Sequence, residues 1–202
     1  MIEEVSRKPA KNKTQIIALG GAGCNTAKYL YEKGIVGSYC CLTNAQRTDL
    51  PESFLFLEHH IYSKEKHLHL TIKNNIWDNE TVKPDLDATI QHQLEELFNT
   101  DSKFILIAGL GGLTGSYWVK RIANELKEKN KEFGTISIIP FGFEESRTEY
   151  AKVLKDELAT LPNLYFISNE LIKEKHGNVS MSKAFEMGNE EVWNICKEII
   201  KD

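Results

Sequence analysis

Short apolar runs alternate with segments of helical period along almost the whole chain. "QIIAL" (15–19), "SYCCL" (38–42), "FLFL" (54–57), "FILIA" (104–108), "TISIIP" (135–140) and "NLYFIS" (163–168) are β-branched or apolar stretches of strand length. Between most of them apolar residues recur three and four apart. Leu86, Ile90, Leu94, Leu97 and Phe98 make one such face, and Val119, Ile122, Ala123 and Leu126 another. A long helix is predicted from about Ser182 to Ile200, carrying Val192, Trp193 and Cys196. Strand runs that alternate with helices predict an α/β fold: a three-layer Rossmann-like parallel sheet with helices on both faces, whose ligands collect at the carboxyl ends of the strands. No internal repeat or linker divides the pattern, so residues 15–202 read as one domain. Residues 1–14, "MIEEVSRKPAKNKT", read as a charged flexible tail without the apolar core of a signal peptide.

Composition narrows the function classes. The 202 residues are 41% hydrophobic and 27% charged, enough to bury a core without help. A net charge of -4 leaves no basic footprint for nucleic acid. No apolar run approaches the roughly 18 residues that a membrane span needs. Cys24, Cys40, Cys41 and Cys196 lack metal-ligand spacing, and two of them are adjacent inside a strand run. That usage fits reduced, buried thiols and a cytoplasmic location.

The candidate chemistry lies in two glycine turns. In "IIALGGAGCNTAKYL" a strand runs into Gly20, Gly21, Ala22, Gly23, Cys24 and Asn25, and then into a helix. Backbone N–H groups at a helix N-terminus can hold a phosphate that glycine lets approach, although the same pattern also serves as a plain tight turn. The dinucleotide fingerprint fails, because Thr26 stands where its third glycine belongs and "CCLTNAQ" has no acidic residue. No G-K-[ST] occurs either. The second turn, "FILIAGLGGLTGSYWVKRIANEL", passes through Gly109, Gly111, Gly112, Leu113, Thr114, Gly115 and Ser116 into another helix. Two such turns at one sheet edge can hold a polyphosphate from two sides.

Together the turns resemble the tubulin and FtsZ family. "GGAGCN" is similar to the first phosphate loop of FtsZ, and "AGLGGLTGS" to the family signature A-G-x-G-G-G-T-G-[ST]-G. The similarity continues in order, with "TNAQ" (43–46) for T-D-A-Q, "PFGFEESR" (140–147) for P-F-x-F-E-G-x-x-R, then "FISNELI" and "AFEMGN". The resemblance implies GDP or GTP as ligand, with magnesium as a candidate companion and self-association into a filament as the family's partner mode. It places phosphates at the glycine turns, with Asn44 beside them and ribose at Glu144 and Arg147. The guanine edge falls to Asn169 and Asn189, and Phe185 stacks on the base. Side-chain amides carry both hydrogen-bond functions that guanine requires. Bland alternatives stand beside these roles: a core position for Phe185, a surface ion pair for Glu144 and Arg147, a turn residue for Asn169 and a solvated helix position for Asn189.

Several positions depart from the family pattern. Leu113 and Tyr117 replace glycines, and Leu113 would be strained if its site needs positive φ. Asn44 replaces an acid, Glu145 a glycine, and Asn189 the Asp common in FtsZ. No glycine occurs between Gly37 and Gly109, so the expected terminal-phosphate loop is replaced by a polar stretch at 59–85. GTP is therefore expected to bind at most a few-fold tighter than GDP. That stretch carries His59, His60, His67 and His69, which read as solvated more readily than as a metal site, and Lys64, Lys66 and Lys73. The sequence ends at "CKEIIKD", so the family's acidic synergy loop and second domain are expected to be absent, and autonomous GTP hydrolysis is not expected. The competing class is an FtsZ-like fold that serves as a protein-interaction module without nucleotide.

Overall fold

Strand β1 (Lys13–Leu19) is buried from Thr14 to Leu19 because helices cover both faces of the sheet it centres. In this computed structural model residues 13–44, 47–58, 88–177 and 179–201 are described. With β2 (Ser38–Thr43), β3 (Leu55–Glu58), β4 (Ser102–Gly109), β5 (Phe133–Ile139) and β6 (Leu164–Ser168), β1 forms a six-stranded sheet in the order β3-β2-β1-β4-β5-β6. Every pairing is parallel. Each predicted strand run is a strand.

Side chains alternate across the sheet, as the two-residue period of a strand requires. Ile17, Leu19, Cys40, Leu106 and Ala108 pack on one face against α2 (Ala88–Phe98), α3 (Leu113–Glu128) and α4 (Glu145–Leu158). Ile16, Ala18, Cys41, Ile105 and Ile107 pack on the other against α1 (Gly20–Glu32), α5 (Asn169–His176) and α6 (Met181–Lys201). The adjacent cysteines thus enter opposite cores, and all four cysteines are buried free thiols. The predicted helix faces are the packed ones: Ile90, Leu94, Phe98, Val119, Ile122, Ala123 and Leu126 are buried, and Leu97 is half-buried. Leu86 lies outside the described residues. Each fully buried Leu, Ile or Phe contributes about 1.5–3 kcal/mol, so the two cores dominate stability.

The strand order positions the site. From β1 the chain winds outward through β2 to β3, whereas from β4 it winds the other way through β5 to β6. The reversal falls between β1 and β4, where an open α/β sheet has its crevice. Leu19 pairs in register with Ala108, so the two strands end level. Both glycine turns leave from these ends, side by side.

Candidate functional site

Most of the glycines are required by contact between the two turns. A Cβ on Gly20, whose φ is +73°, would lie 3.0 Å from the Gly115 nitrogen. On Gly23 it would meet the Ile107 carbonyl oxygen at 2.4 Å, on Gly115 the Gly109 oxygen at 2.4 Å, and on Gly109 the Ala22 Cβ at 2.6 Å. These residues let α1, β4 and the start of α3 press backbone against backbone. Gly111, at φ +81°, passes equally close to Arg147. Gly21 and Gly112 differ, because a Cβ on either would meet nothing within 4 Å. They are the two glycines of the turns that leave room for something else.

That room is a cleft of 520 Å³ lined by residues 19–22 and 109–115 together with Asn44, Ser146 and Arg147. Helices α1 and α3 both start at its wall. Neither the Leu19 nor the Gly112 cap position supplies a side-chain hydrogen bond, and neither helix has an acidic residue in its first turn. Their first N–H groups are left for water or a ligand, at the positive end of each helix dipole. Arg147 is the charged residue of the lining, so the cleft suits an anion. A magnesium ion fits the lining less well. Such an ion is held by one or two carboxylates plus substrate phosphates, whereas the lining offers the Asn44 amide and the Thr114 and Ser146 hydroxyls.

The predicted phosphate-loop residues divide by where they point. Leu113 opens α3 without strain, since the described non-glycine residues with positive φ are Asn130 and Asn163. Cys24 turns into the core, with its Sγ 3.9 Å from the Ala18 oxygen. A hydrogen bond from the Cys41 thiol holds the Cys24 thiol below its ordinary value and pushes Cys41 up. Ser116 is buried, and its Oγ accepts from the Gly111 N–H at 3.0 Å, which stabilises the second turn from within. Glu144 and Arg147 form the surface ion pair, 2.9 Å between Oε2 and Nη1, and Glu144 Oε1 also accepts from the Phe141 N–H at 3.2 Å. Arg147 lines the cleft all the same.

One contact made by a predicted phosphate-loop residue was missed from the sequence. Arg47 donates from Nη2 to Asn25 Oδ1 at 2.7 Å and grips Asp49 through Nε and Nη2 at 2.7 and 2.9 Å. This pair holds the Asp49 carboxyl well below the usual carboxylate range. The available signal was a cation three residues after Asn44 with an acid two residues further on.

A second group of predicted residues gathers beyond the cleft. Asn169 opens α5 at the end of β6 and is 4% exposed. Its Oδ1 faces α6, 3.5 Å from where a Cβ on Gly188 would stand. Phe185 and Asn189 share a face of α6, being four residues apart. Asn189 Oδ1 accepts from the Thr26 hydroxyl at 2.8 Å. Because Thr26 is six residues along α1 from Gly20, it lies about 9 Å up the helix axis. One helix therefore connects the cleft to the amides. Phe185 is no core residue: it is 44% exposed and stands edge-on to Phe141 at 5.3 Å. Phe141 in turn stacks with Phe143, also exposed. Gln46, the histidines at 59, 60, 67 and 69, and the lysines at 64, 66 and 73 lie outside the described residues.

An all-parallel sheet with its crevice at the β1/β4 reversal defines a Rossmann-like domain with a cleft at one sheet edge. Comparison with known proteins then gives what the chain is similar to. Cell division protein FtsZ 1 of Pyrococcus abyssi is 26% identical over 196 residues, covering 94% of this chain and 50% of that protein. The chain thus spans about half the length of the curated relative it matches. Among solved structures, an FtsZ dimer of M. jannaschii superposes with a TM-score of 0.69 at 20% identity, over 96% of this chain and 57% of that one. CetZ from Methanosaeta thermophila follows at 0.67 and 15%, over 95% and 54%. No family model matches the chain. Over the part of those proteins that it covers, the chain has the FtsZ and CetZ fold.

Proposed function

We propose that this domain binds a guanine nucleotide, GDP or GTP, with its phosphates between the two glycine turns. The observation that carries the reading is the pair of uncapped helix N-termini opening on one cleft beside Arg147. Ribose then falls near Glu144 and Arg147, and the base near Phe185, Asn169 and Asn189. Stacking on an exposed aromatic adds about 1–3 kcal/mol. A solved CetZ2 of Haloferax volcanii is a protofilament with GTPγS bound, and a PhuZ201 structure is a filament. The filaments support self-association and the FtsZ 1 relative a cytoskeletal or cell-division role, and the cytoplasm is the location that goes with that reading. No helix among the described residues is long and apolar enough to cross a membrane.

Isothermal titration of GDP, GTP and ATP into the purified chain tests this. GDP and GTP are expected to bind and ATP not to. Equal binding of all three would remove the base assignments. A second reading has its own observation: Gly23 and Gly115 are accounted for by close backbone packing and Gly109 by the Ala22 Cβ, so none of the three needs a ligand. If no nucleotide binds, the fold serves as a protein-interaction module.

A further inference from the structure

The hydrogen bond between Thr26 and Asn189 limits what the second amide can read. Guanine presents two adjacent donors, N1–H and the exocyclic 2-amino group, and satisfying both takes two acceptor oxygens, which a carboxylate has. Asn189 has one oxygen and an NH2 group that can only donate. The Thr26 hydroxyl already donates into that oxygen at 2.8 Å. One acceptor position remains for N1–H, and the Asn189 NH2 is left toward the 2-amino group, donor against donor. Asn169 is placed for the other end of the edge. With Oδ1 turned toward Gly188, its NH2 is the function left to donate to a 6-oxo group.

We infer that Asn169 and Asn189 recognise 6-oxopurine nucleotides as a class and do not select guanine over hypoxanthine. The inference rests on the nucleotide reading above and deepens it. N1–H and O6 are common to both bases, and the 2-amino group that distinguishes them meets no free acceptor on Asn189. Thr26 thereby becomes a specificity residue although it touches no base. Adenine, with an amine at position 6 and no N1–H, presents the opposite pattern and is excluded.

Competition of GDP, IDP and ADP against a ribose-labelled fluorescent GDP decides the matter on the unaltered chain. GDP and IDP are expected to agree within about fivefold, the worth of one neutral hydrogen bond, with ADP at least tenfold weaker than either. In Asn189→Asp both carboxylate oxygens accept, and the preference for GDP over IDP should rise by about tenfold or more. Thr26→Val, which frees the Asn189 oxygen, should shift the ratio the same way by a smaller factor. A larger than fivefold preference for GDP in the unaltered chain overturns the inference while leaving the nucleotide site intact, as does an unchanged ratio in Asn189→Asp. Binding of none of the three overturns both, and ADP binding as well as GDP shows that no base edge is read.

Discussion

The carbonyl oxygen of Arg147 lies 2.4 Å from where a methyl group on Gly111 would have to stand, at a backbone φ of +81°. Gly111→Ala meets two costs at once, about 1–2 kcal/mol for the left-handed conformation and the displacement of a backbone that cannot swing aside. Thermal unfolding should show a loss of about 2 kcal/mol or more, which at about 2–4 °C per kcal/mol for a chain of this size lowers the midpoint by several degrees. Arg147 would be pushed from the cleft, so GDP affinity should fall too. An unchanged midpoint would show that the second turn has slack.

Gly21→Ala should behave oppositely. The position is helical, faces the cleft and has nothing within 4 Å of a new Cβ. The fold should be as stable or gain up to about 1 kcal/mol, since alanine loses less entropy in a helix. The methyl group occupies phosphate space, so titration should show GDP binding about tenfold weaker, a loss near 1.4 kcal/mol. Undiminished binding would place the phosphates elsewhere.

Asn169→Ala removes an amide placed at the base end. Losing a buried hydrogen-bond partner costs about 1–3 kcal/mol, so GDP should bind roughly tenfold or more weakly. Chemical denaturation should register about 1 kcal/mol, because the side chain is small although it is buried. Equal losses in binding and stability would mark Asn169 as a packing residue.

The thiols give a test of the two cores. Burial pushes Cys40 and Cys196 up to about 12, and Cys41 is raised by its hydrogen bond to Cys24 and by burial. Cys24, although lowered, is fully covered. At pH 8 a thiol reagent such as dithionitrobenzoate should find almost no reactive cysteine in the native chain and four after denaturation. Rapid reaction of the native protein would contradict the packing of β2 and α1. Because the thiolate is the reactive form, raising the pH should accelerate the reaction only where the chain opens.

Much of the fold was legible because periodicity reports burial directly. Six apolar runs became six strands, and the helix faces at 90–98 and 119–126 are those that pack. The glycine turns and the amides proposed for the base end could be found as motifs, since chain order preserves them. Arg47 was not legible, because its hydrogen bond to Asn25 joins residues 22 positions apart whose approach depends on where β2 ends beside α1.

The sequence by itself determined the strand and helix pattern, the positions of both glycine turns and the family they resemble, because each depends on residues close together in the chain. Only the tertiary structure decided what each glycine is for. Gly23 and Gly115 are spent on backbone contact, Gly109 on contact with the Ala22 Cβ, and Gly21 and Gly112 on open space, a distinction set by atoms that arrive from other strands and helices. The same holds for Asn189. Its amide oxygen had two acceptor positions to offer until α1 brought the Thr26 hydroxyl against one of them, because a hydrogen-bonding group has a fixed number of sites and a neighbour that takes one changes what the others can read.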